Sequence, residues 1–183
     1  MKLFPLALLT ALAFLLATPT PLQLSPEWIQ LAAPQPSATH RLPITHPPGA
    51  EPASFVLAPA DIPEENWNAG HRGVDLDAQP GDAIYASRGG TVHFAGVIAG
   101  TPVVSILHAD GVRTTYEPVI RSVTKGEQVR RGQVIGHLAN TATLPETART
   151  DLGLSWGAKI GERYLDPMTL LGSPRVRLKI ANA

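Results

Sequence analysis

The stretch Pro102-Val103-Val104-Ser105-Ile106-Leu107-His108-Ala109-Asp110-Gly111-Val112-Arg113-Thr114-Thr115-Tyr116 decides the fold class. Both halves are rich in β-branched and aromatic residues, which suit a pleated surface. Asp110-Gly111 between them is the strongest short-range hairpin signal, because a tight hairpin turn needs residues that tolerate positive φ. Outward from this hairpin, further short runs appear at Ala83–Ala86, Thr91–Ala95, Gln128–Arg130, Gln133–His137 and Leu154–Ile160. Turn signals at Arg88-Gly89-Gly90 and Lys125-Gly126 separate them. Short strands at this spacing predict an all-β fold, an antiparallel β sandwich or flattened barrel.

Length and composition agree. The 183 residues suffice for about one domain. The 18 Pro and 16 Gly make long helices scarce. Fifteen basic and fifteen acidic residues cancel, so there is no electrostatic footprint for nucleic acid. The chain has no cysteine, which excludes disulfides, thiolate metal sites and a cysteine nucleophile.

The ends divide into segments. Residues 1–17 join a positive start to the apolar run Leu3–Ala17, closed by Thr18-Pro19-Thr20-Pro21. That pattern reads as a secretory signal peptide, with an uncleaved anchor as the alternative, and places the protein in the cell envelope or outside the cell. Residues 18–53 are rich in Pro and Ala and read as a linker that contains His40 and His46. The β domain is expected over 54–172, opening with a strand at Ser54–Ala58 and closing with a capped turn from Asp166 to Gly172. Residues 173–183 form a tail in which Arg175–Ile180 alternates basic and apolar side chains. It reads as an edge strand with a solvated basic face, or as a patch for anionic wall polymers.

An internal echo runs through the domain. Gly81-Asp82-Ala83-Ile84 leading to Gly90-Thr91-Val92 resembles Gly126-Glu127-Gln128-Val129 leading to Gly132-Gln133-Val134. Lys125 precedes one unit instead of joining two, which argues against a lipoyl- or biotinyl-type carrier.

The chemistry is concentrated in Gly70-His71-Arg72-Gly73-Val74-Asp75. A His and an Asp four apart in a Gly-containing extended stretch can reach one zinc ion through an imidazole nitrogen and a carboxylate oxygen. By spacing alone such a pair is more often structural.

The surrounding order of motifs adds a resemblance. Asn66–Asp77 is followed by Pro80–Ala86, Gly90-Thr91-Val92, Ile106–Tyr116, Gly126–Val129 and Gly132–Gly136. Together these resemble the lysostaphin/LytM-type metallopeptidases, the twenty-third metallopeptidase family, over about residues 66–172. Arg113-Thr114-Thr115-Tyr116-Glu117-Pro118-Val119, Trp156-Gly157 and Leu165-Asp166-Pro167 are similar to its exported actinobacterial branch. The resemblance implies the LytM-type β fold and, for active members, zinc-dependent cleavage of peptidoglycan peptides. It implies that His71 and Asp75 stand at two zinc-ligand positions. The other three positions depart from the pattern: Pro118 and Gly153 occupy the catalytic His positions, and Ser155 stands where the third ligand belongs.

A catalytic zinc site uses three protein ligands and a water. A neutral hydroxyl is a poor replacement for an imidazole, and proton-transfer groups contribute roughly 10²–10⁴-fold each. Among the other candidates, His108 matches a family His that is not a ligand, and His93 and His137 lie on alternating strands. Glu117, next to Pro118, is expected to point to the opposite face. No cofactor is therefore expected, with zinc entering only if the site works in spite of its changes. The resemblance then implies a non-catalytic module that binds peptidoglycan or its peptides, or regulates a cell-wall hydrolase. Trp67, Tyr116 and Trp156 are its groove candidates, each with core packing as the alternative. The competing reading is a zinc endopeptidase with an altered ligand set.

Overall fold

The structure is a computed structural model that describes residues 40–172, all within one compact unit. The signal-like segment 1–17 and the tail 173–183 lie outside the described residues. Among the described residues eleven strands are formed: β1 (Val56–Ala58), β2 (Gly73–Leu76), β3 (Ala83–Tyr85), β4 (Gly90–Ile98), β5 (Thr101–His108), β6 (Val112–Glu117), β7 (Val119–Arg121), β8 (Gln128–Val129), β9 (Val134–Leu138), β10 (Leu154–Ile160) and β11 (Arg163–Leu165). The Asp110-Gly111 hairpin forms as its sequence predicts. β5 and β6 pair antiparallel with Leu107 opposite Arg113, and Gly111 turns the chain at a φ of 81°.

That hairpin lies inside the larger sheet, whose order is β1-β2-β10-β6-β5-β4-β8. β11 pairs with the far end of β10, along Ala158 to Ile160. A second sheet, β3-β9-β7, makes up the rest of the all-β architecture, and every pairing is antiparallel. The core draws on both sheets: Val74, Leu76, Val92, Ile106, Tyr116, Leu154 and Trp156 from one, and Ile84, Val119, Ile135 and Leu138 from the other. Each large apolar side chain buried in this way contributes about 1.5–3 kcal/mol.

The echo in the sequence is a repeated turn. In Gln79–Asp82, Thr124–Glu127 and Arg130–Gln133 the fourth residue's N–H donates to the first residue's carbonyl. Its side-chain oxygen in turn accepts the first residue's N–H, at 2.8, 3.0 and 3.0 Å. The third residue is glycine each time, with φ between 79° and 92°, as a turn with a left-handed third position requires.

Residues 40–46, read from the sequence as linker, lie against the domain. Leu42 and Ile44 are 2% exposed and belong to the core. Arg41 N–H donates to the Ser87 carbonyl, and the Pro43 carbonyl accepts from Tyr85 N–H. Alternating apolar residues in a Pro-containing stretch can cover a sheet edge without forming a strand of their own, so composition gave no sign of it. His40 is buried as well, with Nδ1 3.0 Å from Ser87 Oγ. It joins a polar chain in which Tyr116 OH meets Ser87 Oγ at 2.9 Å and Thr114 Oγ1 at 2.8 Å. Thr114 Oγ1 reaches His108 Nε2 at 2.8 Å, and His108 Nδ1 donates to the Gly89 carbonyl. His108 is thus a structural residue, in keeping with its reading as a non-ligand.

Candidate functional site

Three adjacent strands bring the chemistry together. In the register of β2, β10 and β6, Ser155 stands directly opposite Asp75 on one side and Glu117 on the other. Directly opposed residues share a face of the sheet. One step along, Gly157 lies between Gly73 and Thr115, and one step further Lys159 faces Arg113. All of these positions except Asp75 line a cleft of about 300 Å³ together with His71, Arg72, Arg149 and Tyr164.

His71 is fixed just ahead of β2 by paired backbone hydrogen bonds with Asp61. Its Nδ1 donates to the Pro59 carbonyl at 2.8 Å, which turns Nε2 toward Asp75 Oδ1 at 3.1 Å. Nε2 and Oδ1 are thus held face to face, an arrangement completed by a shared proton or a cation. The sequence-predicted pair therefore does converge.

A guanidinium meets the same carboxylate. Arg149 arrives from the loop between β9 and β10, its backbone N–H held by Thr101 Oγ1 at 2.9 Å. Its Nη2 lies 2.6 Å from Asp75 Oδ2, and the two side chains are 13% and 8% exposed. The approach is off the hydrogen-bonding direction, so this is an ion pair in which Nη2 and Nε keep N–H groups without an aligned acceptor. Burial pushes the Glu117 carboxyl above the ordinary carboxylate range; Arg149 opposes that shift and Asp75 adds to it.

The donor set does not match a catalytic zinc centre. Two donors converge, Ser155 places only a hydroxyl opposite Asp75, and Arg149 already supplies positive charge to Asp75. Among the described residues no three His, Cys, Asp or Glu side chains come together as a metal-holding group.

Strand alternation corrects three expectations. Glu117 lines the cleft instead of pointing away, because it shares the face of Thr115 and Arg113. The same alternation turns Tyr116 and Trp156 inward, where both are fully buried in the core and neither lines the cleft. Trp67 is 80% exposed and outside the cleft lining; its neighbours Asn66 and Asn68 accept hydrogen bonds from Arg72. Gly153 lines a different depression with Leu57 and Leu152. Its φ of 78° and the Leu76 carbonyl against it leave no room for a Cβ. Pro118 is buried at the end of β6. His93 and His137 are exposed, and only His93 approaches the cleft wall, at 3.1 Å from Arg113 Nη1.

Sequence reading missed Arg72, Arg113, Arg149, Lys159 and Tyr164. The alternation of Arg113-Thr114-Thr115-Tyr116-Glu117 carried a usable signal, since one buried Tyr places Arg113, Thr115 and Glu117 together on the other face. Arg149 lies in a loop and gave none.

The antiparallel β domain with its His–Asp pair beside a cleft has the fold and the pair that the sequence resemblance leads one to expect. The profile of Peptidase family M23 matches residues 69–167, more than half of the chain, and the chain belongs to this family. An uncharacterized protein of Mycobacterium tuberculosis is 45% identical over 129 residues, which are 70% of this chain and 52% of that relative. A Mycobacterium bovis protein matches equally, so the chain spans about half the length of the curated relatives it matches. Among solved structures, Csd3 of Helicobacter pylori aligns with a TM-score of 0.56 and 24% identity, covering 76% of this chain and 36% of that one. The catalytic domain of the antimicrobial peptidase lysostaphin from Staphylococcus simulans aligns with a TM-score of 0.53 and 22% identity, covering 66% and 95%. At these identities the likeness is one of fold.

Proposed function

We propose that this protein is an exported M23-family module that binds peptidoglycan peptides in its cleft without hydrolysing them, or uses the same cleft to regulate a cell-wall hydrolase. The observation that carries this reading is the register Asp75–Ser155–Glu117. A hydroxyl occupies the central position, where a third nitrogen donor is needed, and Arg149 is seated on Asp75. A divalent ion entering beside that guanidinium meets repulsion at close range and finds only two donors. The His71 cleft is nonetheless kept open and lined by polar side chains, as a binding function requires. The family, the fold likeness to lysostaphin and the apolar segment Leu3–Ala17 support a role at the cell wall.

The second reading, a zinc endopeptidase with an altered ligand set, has one observation in its favour: Glu117 faces the same cleft. Cosedimentation of the full chain with purified sacculi, alongside release of soluble fragments with and without added zinc, separates the two. The expected result is pelleting without release. Zinc-dependent release that is lost in His71→Ala overturns the non-catalytic reading.

A further inference from the structure

The end of the cleft away from His71 has a charge arrangement that folding alone does not explain. Arg113 and Lys159 stand directly opposite each other on β6 and β10. Like charges so placed destabilise a sheet. Both side chains line the cleft, and Lys159 is only 15% exposed. Among the described residues no carboxylate pairs with Arg113; its Nη1 meets the His93 ring, and its Nε is buried without an acceptor. Lys159 has only Glu162, a solvent-exposed partner at 3.2 Å, and sits 5.6 Å from the Tyr164 ring. Arg72 lies over the same ring, at 5.7 Å. A buried donor without a partner beside an opposed cation calls for an oxyanion.

The cleft also has a direction. From the Ser155 and Glu117 register to the Lys159 and Arg113 register is four residues along each strand, about 13 Å. That length accommodates about four residues of an extended peptide. Gly157 leaves the middle of the floor without a side chain, and Thr115 offers a hydroxyl across from it.

We propose that Arg113 and Lys159 form a carboxylate-binding subsite that takes the free C-terminal carboxylate of a peptide laid along β6 and β10. This assignment rests on the reading of the cleft as a peptide-binding site and is independent of whether any bond is cut. Arg113 supplies the directed N–H groups, and Lys159 adds charge from the facing strand.

The test compares acetyl-Ala-Ala-Ala-Ala bearing a free carboxylate with its carboxamide, titrated calorimetrically into the full chain. The expected result is that the acid binds about tenfold tighter, the size of one charge-assisted contact. Arg113→Gln and Lys159→Gln each remove the preference, and Arg113→Lys keeps part of it. Melting curves confirm that the variants are folded. Equal binding of acid and amide, no binding of either, or a preference that survives both Gln variants overturns the subsite. If the full chain still pellets with sacculi in that case, only the subsite falls. If it does not pellet either, the peptide-binding reading falls with it.

Discussion

Arg149 Nη2 lies 2.6 Å from Asp75 Oδ2, while the other oxygen of the same carboxylate faces His71 Nε2 at 3.1 Å. The Asp75 carboxylate is therefore shared between an imidazole and a guanidinium. Asp75 is largely removed from water and depends on this pair, whereas Arg149 also meets the exposed Asp151 carboxylate at 3.3 Å.

Removing Arg149 is thus expected to cost stability. Arg149→Ala leaves a buried carboxylate with one partner, and breaking a buried pair from one side costs about 3–5 kcal/mol. Urea unfolding near neutral pH measures the loss. Asp75→Asn in the same background is expected to restore part of it, since the uncompensated charge is then gone.

Adding a third nitrogen donor beside His71 and Asp75 is expected to need two changes. Ser155→His places an imidazole between Asp75 and Glu117 but leaves Arg149 on the carboxylate. The double variant Ser155→His with Arg149→Ala is expected to bind zinc at least about tenfold tighter than either single variant, because groups that share a partner are energetically coupled. Calorimetric titration of the three proteins measures this coupling. Gly153→His is a poor choice for the same purpose, because the Leu76 carbonyl blocks its Cβ.

The burial of Tyr116 separates stability from binding. Its hydroxyl meets Ser87 N, Ser87 Oγ and Thr114 Oγ1 in the core. Tyr116→Phe leaves those buried groups short of a partner and is expected to cost about 2 kcal/mol in urea unfolding. Affinity for sacculi, measured under folding conditions, is expected to stay unchanged because the side chain faces away from the cleft.

The histidines of the same network give stability a pH dependence. Burial, with help from His108, lowers the His40 pKa to about 4 from 6.5. As pH falls below about 6.5 the unfolded chain takes up the proton first, so this contribution is complete above that value. It declines as pH falls and is lost at about 4. His108, lowered chiefly by burial, acts in the same direction. Glu117, raised chiefly by burial, acts in the opposite sense, losing its contribution as pH rises above the ordinary carboxylate value. Urea midpoints are expected to fall between about pH 7 and pH 5. His40→Gln is expected to flatten that dependence.

Much of the fold was legible because hairpin chemistry and period-2 runs are local signals. Asp110-Gly111 announced β5 and β6, and Gly81, Gly126 and Gly132 of the echo marked its turns. The docking of Leu42 and Ile44 was not legible, because a Pro-rich composition conceals two apolar residues that cover the core. Each is expected to cost about 2–5 kcal/mol on replacement by Ala. A fragment beginning at Ser54 is accordingly expected to be less stable than one beginning before His40. At the site, the convergence of His71 and Asp75 was legible from spacing and motif. The inward turn of Tyr116 and Trp156 required the strand register, and Arg149 required the path of a loop that sequence pattern does not fix.

Zinc affinity of the full chain at neutral pH, with His71→Ala as the control, tests the central claim most directly. The expected result is no stoichiometric zinc at affinities tighter than about micromolar, and no difference between the wild-type chain and His71→Ala. One equivalent bound more tightly than that and lost in His71→Ala would contradict it, and would identify the cleft as a working metal centre whose third ligand lies outside the Ser155 position.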